Sequence, residues 1–210
     1  MDDYALDRFD LKYRNTFDSP DRVKVEINYV SSRIPIYGIT NAIPYNIFDI
    51  SVETVQTLSQ AEIYGSKIEA LIKRHAPRDL FDVYLLTKHN KKIEIPQLRK
   101  CTIFSCCVEI PWDFRASFAS NPADVISEKQ VNDELRPYLR HNYNFDLTSA
   151  KESVGRFCNE LFRLEEYEQK FLQRFFEDKE YLPNLLFPDG DHLLDHPGIK
   201  WRLQRMQKSM

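Results

Sequence analysis

The sequence predicts an α+β chain, mainly α, in which a small β-containing piece is followed by a helical bundle. Three observations predict it. Period-two alternation of apolar and polar residues is confined to the first 55 positions, at Val23–Val30 and Phe48–Val55. Beyond them, three Ser-led capping signatures open apolar runs of helical period, at Ser59/Glu62, Ser127/Gln130 and Ser149/Glu152. Only five glycines occur, too few for a glycine-rich phosphate loop and consistent with helices.

The elements follow in order. In Val23–Val30, Val23, Val25, Ile27 and Tyr29 alternate with Lys24, Glu26 and Asn28, the pattern of a half-buried strand with one polar face. Arg33–Tyr45, with Pro35, Gly38 and Pro44, reads as loop with a short extended piece, and Phe48–Val55 as a second strand. The helix opened by Ser59 and Glu62 carries Tyr64, Ile68, Leu71 and Ile72 on one face and stops at His75. Pro77 suits the first turn of another helix, with Asp79 and Asp82 near its positive end and Leu80, Phe81, Tyr84 and Leu85 on its apolar side. Leu98–Val108 fits either a helix or a strand, and the helical reading is preferred. A helix from Ser127 runs to about Arg136, where Pro137 interrupts it. Ser149 and Glu152 open a long helical region carrying Val154, Phe157, Leu161, Leu164, Phe171, Leu172, Phe175 and Phe176. Pro183, Pro188 and Gly190 mark turns before a short amphipathic tail, IKWRLQRM.

Charge and cysteine usage narrow the function classes. A net charge of −3 and a pI near 6.0 exclude a chain defined by a globally basic nucleic-acid surface, leaving only a local patch open. Cys101, Cys106, Cys107 and Cys158 form no CxxC pair, so reduced thiols are expected. The acidic start, MDDYALDRFD, lacks an apolar signal core, and the longest apolar stretch, around Ile103–Ile110, is too short to span a bilayer. A cytoplasmic protein is expected.

Chemistry concentrates in Ala61–Leu86, AEIYGSKIEALIKRHAPRDLFDVYLL. It reads as two helices joined by a corner at Ala76-Pro77. Lys67 and Arg74 share a face of the first helix, and Asp79 and Asp82 share a face of the second. A tight corner brings Lys67, Arg74, Arg78, Asp79 and Asp82 together, as a functional cluster or as interhelical ion pairing on a solvated surface.

This segment resembles the third and fourth motifs of the AbiEii/AbiGii nucleotidyltransferase toxins, where a lysine-bearing helix precedes an R-D-x-[FY]-D helix. The matching residues are Glu62, Lys67, Ala70, Leu71, Arg74, Arg78, Asp79, Phe81, Asp82, Tyr84 and Leu86. The likeness extends back to VKVEI, with Glu26 at a carboxylate position of a strand. It extends forward through Phe145-Asp146-Leu147, Tyr181-Leu182-Pro183, His196-Pro197 and Trp201. It covers nearly the whole chain, most specifically from Lys67 to Asp82. The resemblance implies a DNA polymerase β-like fold that moves a nucleotide from an NTP with Mg2+ held by carboxylates. It assigns Lys67, with Arg74 and Arg78, to the nucleotide. Asp79 or Asp82 would assist catalysis or fix the lysine, and Glu26 would be an acidic group near the metal. It also implies an antitoxin protein as partner, RNA as an acceptor and a role in abortive infection and phage defence. The expected architecture is residues 1–95 as a partial nucleotidyltransferase-like domain, holding the remnant of a β-sheet with packed helices, and residues 96–210 as a C-terminal helical domain.

The family's Gly-Ser turn and the Asp-x-Asp that follows it on a strand should precede Glu26, yet the 25 residues before it contain neither. Gly65-Ser66 falls inside the Lys67 helix, and Asp189-Gly190-Asp191 falls in a turn. The expectation is a chain without the two-metal site: a truncated product, a degenerate relative or one half of a split enzyme. As a non-catalytic remnant it would bind a nucleotide, an RNA or a protein. Without its neighbouring strands, the Val23–Val30 edge should drive self-association or be covered by a folded-back Met1–Pro20.

Weaker candidates have plain alternatives. His192 and His196 with Asp189, Asp191 and Asp195 are a metal set or a polar turn. Cys101, Cys106, Cys107 and His89 do not fit zinc-ribbon spacing. The aromatic stripe from Phe157 to Phe176 is bundle core rather than a stacking platform. Lys200, Arg202, Arg205 and Lys208 contact RNA or form an ordinary solvated helix face.

Overall fold

The computed structural model describes residues 6–28, 34–43, 53–89 and 93–208. Two small antiparallel sheets precede seven α-helices among these residues. Strands β1 (Leu6–Arg14) and β2 (Pro20–Asn28) form a hairpin in which Phe9 lies opposite Val25, Leu11 opposite Val23 and Arg8 opposite Glu26. Asn15 shapes its loop: the side-chain oxygen accepts from Phe17 and Ser19 N–H, and Asp18 takes the left-handed conformation (φ 59°). The alternation in VKVEIN therefore does form a strand, and the N-terminal segment does fold back to pair with it. The pairing separates Phe9, Leu11, Tyr13, Val23 and Ile27 onto one face and the charges onto the other. That apolar face is only about half-covered, each of those five side chains being 43–58% exposed, and none belongs to the buried core. Tyr29 and Val30 lie outside the described residues.

Strands β3 (Thr40–Ala42) and β4 (Val55–Thr57) pair antiparallel. The first is the short extended piece expected within 33–45. The second overlaps only the end of the predicted Phe48–Val55 strand, most of which lies outside the described residues.

Helix α1 (Gln60–Arg74) starts at the predicted capping box, with Glu62 N–H donating to Ser59 Oγ and Ser59 N–H to Glu62. Glu62 also anchors the preceding loop by accepting from Ile36 N–H at 2.6 Å. His75 ends the helix in the left-handed conformation (φ 51°), and Pro77 begins α2 (Pro77–His89). Helix α3 (Ile95–Glu109) confirms the helical reading of Leu98–Val108. It packs on α1 across Gly65, where an added Cβ would stand 2.9 Å from backbone and side-chain carbons of Cys101. Gly65 is thus a helix-contact glycine.

Helix α4 (Glu128–Glu134) carries the predicted Ser127/Gln130 box. Helix α5 (Leu147–Leu161) begins earlier than Ser149 suggests, because Asp146 is the N-cap and accepts from Ser149 N–H at 2.8 Å. The long helical region is also broken. The chain turns at 162–165 and restarts as α6 (Glu166–Gln173), which has its own Glu165/Glu168 capping box and ends in one wide turn, Arg174–Asp178. Arg99 fixes that corner. Its Nε donates to both Glu168 oxygens at 2.9 and 2.7 Å, and another guanidinium nitrogen reaches the Leu161 carbonyl at the end of α5. Both charged side chains are buried.

Helix α7 (Pro197–Lys208) is the predicted tail. Gly198 lies against Val108, at a spacing a Cβ would close to 2.8 Å, so α7 sits close on α3. One buried cluster draws on both sides of residue 95, from Ile68, Leu80 and Val83 through Ile103 and Phe114 to Val154, Phe171, Phe175 and Ile199. The aromatic stripe is core, as expected: Phe171, Leu172, Phe175 and Phe176 are buried. All four cysteines are buried and unbridged, and burial raises their thiols well above the ordinary value, Cys158 to about 12. No described helix is long and apolar enough to cross a membrane.

Candidate functional site

The site is built on the α1–α2 corner. With His75 left-handed and Pro77 opening α2, the chain reverses tightly and the two helices pack together. Lys67 Nζ then lies 2.8 Å from Asp82 Oδ2, with side chains 45% and 37% exposed. Alongside it, Arg74 grips Asp79 in a fork, Nε to Oδ2 at 3.0 Å and a terminal nitrogen to Oδ1 at 2.6 Å. The sequence-predicted convergence of Lys67, Arg74, Asp79 and Asp82 is therefore present. Arg78 stands apart from the carboxylates, its guanidinium over the Tyr138 ring at 5.5 Å.

The two pairs differ physically. Asp79 is 5% exposed, sits in the first turn of α2 and complements the helix's positive end, so its pair with Arg74 locks the corner. The Lys67–Asp82 pair is half in water, where such pairs contribute about 0–1 kcal/mol. A contact that weak is readily exchanged: the Lys67 ammonium can leave Asp82 for a more highly charged group such as a phosphate at little cost.

Glu26 is not among the partners of this cluster. It lies on the charged face of the hairpin, ion-paired to Arg8 at 2.8 Å and Lys24 at 2.9 Å, which hold its carboxyl below the usual range. Among the described residues no group of three or more His, Cys, Asp or Glu side chains is arranged to hold a metal ion. Asp79 and Asp82 each face a cation instead. The described residues thus do not fit a divalent-metal centre. The His192/His196 set is a polar turn: His192 contacts the Asp189 and Pro35 carbonyls, Asp195 pairs with Lys200, and buried His196 lies edge-on to Phe104. Two features escaped the sequence reading. Arg99 with Glu168 carried no signal beyond an Arg inside an apolar helix. Arg202, grouped with the solvated tail, is buried at 6% exposure.

The chain thus joins a small β portion to a helical body, with a half-exposed lysine facing an R-D-x-F-D helix. The particular family follows: a family model described as nucleotidyl transferase AbiEii toxin, type IV TA system, matches residues 5–184, and the chain belongs to that family. No curated protein and no solved structure matches it.

Proposed function

We propose that this chain serves nucleotidyl transfer from an NTP to an acceptor such as RNA, within a toxin–antitoxin pair that acts in phage defence. In this reading Lys67 contacts the triphosphate, Asp82 holds Lys67 in place until the nucleotide arrives, and Asp79 keeps Arg74 and the corner fixed. Arg74 and Arg78 line the approach to the nucleotide. Family membership supports it, and the observation that carries it is the half-exposed Lys67–Asp82 contact on a corner locked by a buried carboxylate.

Mg2+ is the metal that such transfer uses, but in this chain Glu26, Asp79 and Asp82 are each paired with cations. The 210 residues hold no strand-borne Asp-x-Asp after a Gly-Ser turn, so the paired carboxylates must come from another polypeptide segment for transfer to occur. That favours a second reading for the chain by itself, a nucleotide-binding unit without turnover. Incubated alone with labelled NTPs and RNA, it is expected to incorporate no label. Equilibrium binding of NTP should weaken roughly tenfold or more in Lys67→Ala and stay unchanged in Lys73→Ala, whose ammonium pairs with Glu109. Label incorporation lost in Lys67→Ala would overturn the second reading; NTP affinity indifferent to Lys67→Ala would overturn the first.

The open apolar hairpin face supports a further part of this proposal, self-association through the outer edge of β2. Size-exclusion chromatography with light scattering is expected to show species larger than one chain, reduced to a monomer by Leu11→Lys with Val23→Lys. A monomeric parent chain would refute it.

A further inference from the structure

A cleft of about 380 Å³ opens between the segment after α3, the turn after α6 and helix α7. Trp112, Asp113, Lys179, Arg202 and Arg205 contribute to its wall. None of them belongs to the Lys67 cluster. Arg202 is the informative member. It is 94% removed from solvent, yet among the described residues it forms no ion pair, and its Nε is buried without a hydrogen-bond partner. Burial draws its guanidinium below the ordinary value, and nearby Arg205 adds to that, while Asp113 and the Cys107 thiol oppose it. A buried, uncompensated arginine is costly, because a guanidinium taken from water needs a counter-charge to replace its hydration.

The cleft does not supply that counter-charge. Its acidic member, Asp113, is committed to Arg115 at 2.7 Å, and Arg115 reaches Glu177 at 2.9 Å. Counting these partners, the cations Lys179, Arg202 and Arg115 outnumber the carboxylates Asp113 and Glu177. Lys179 donates to the Phe176 carbonyl, which holds its stem at the rim, and Arg205 lies over the Trp201 ring at 4.6 Å. Trp112, 44% exposed, offers an indole face beside this positive concavity. Phosphate matches the set: compact, multiply acidic, and able to take the forked donors of a guanidinium.

We propose that this cleft is a phosphate-binding site in which Arg202 is the buried anchor and Lys179 the rim contact. The phosphate comes from a nucleic acid, whose flanking base stacks on Trp112, or from a free anion. The proposal does not depend on the transfer reaction, since a chain that moves no nucleotide still holds phosphate here.

The test uses the purified full chain with a labelled short single-stranded oligoribonucleotide in anisotropy, and with inorganic phosphate or pyrophosphate in thermal shift. Phosphate or pyrophosphate is expected to raise the Tm of the parent chain and not of Arg202→Gln, by mass action on the folded state. Oligonucleotide affinity should fall roughly tenfold in Arg202→Gln and about threefold in Lys179→Gln, with a shallower salt dependence in both. Circular dichroism separates lost binding from lost folding; should Arg202→Gln unfold, the partly exposed Lys179→Gln decides alone. Oligonucleotide binding weakened also by Trp112→Ala assigns the nucleic-acid source, and stabilisation by the anions alone assigns the free one. Probes that bind Arg202→Gln and Lys179→Gln as tightly as the parent chain, or that bind none of them, overturn the site.

Discussion

Arg99→Met is expected to destabilise the chain by about 3–5 kcal/mol, a fall in Tm on the order of 10 °C. The Arg99 side chain is 5% exposed and Glu168 fully buried, so removing the guanidinium leaves a carboxylate in the interior with no counter-ion. What remains for Glu168 is the N–H of Glu165 at the start of α6, donating at 2.8 Å. The loss also frees the Leu161 carbonyl at the end of α5, so the α5–α6 corner loosens as a unit. Removing both charges, as in Arg99→Met with Glu168→Leu, should cost far less, because no unpaired ion is left behind. Urea unfolding of the two single variants and the double variant measures this directly. A double variant as unstable as the sum of the singles would show that the pair contributes nothing as a pair.

Gly65→Val is expected to cost about 3 kcal/mol through overpacking. Two effects compete. Valine is the better helix former than glycine by roughly half a kcal/mol, which favours the substitution. Against this, the new Cβ would meet the Cys101 backbone carbon and Cβ at 2.9 Å and the Thr102 nitrogen at 3.0 Å. These are atoms of a packed helix, not the end of a flexible side chain, so α1 and α3 must separate and the steric term wins. Lys67 follows two residues later on the same helix. Displacement of α1 should therefore lengthen the Lys67–Asp82 contact and weaken NTP binding alongside stability. Thermal unfolding and NTP affinity measured on one preparation test both halves. Unchanged stability in Gly65→Val would mean that the helices are not in contact at that point.

Much of this was legible in the residues. The α+β class, the hairpin strand, the capped starts of α1 and α4, and the α1–α2 corner follow from local rules: period-two alternation, Ser-led capping boxes, and a proline fit only for a first turn. The convergence of Lys67, Arg74, Asp79 and Asp82 followed as well, because helix periodicity and one tight corner suffice to place them. Local signals misled where two of them competed. Ser149/Glu152 resembled a helix start, yet Asp146 caps first. The apolar stripe from Phe157 to Phe176 looked continuous because the residues either side of the α5–α6 corner face the same core.

The sequence by itself determined the family, the order of elements and the cationic–acidic motif, since each is written in residues near one another along the chain. Only the tertiary structure decided which charges are buried. It separated Asp79, locked in the corner, from Asp82, half in water, although both lie on one face of one helix. It paired Arg99 with Glu168 across 69 positions, and it buried Arg202 within a tail that reads as solvated. The physical reason is that burial depends on what packs above a side chain. That neighbour is supplied by a distant segment, and the local periodicity of a helix cannot announce it.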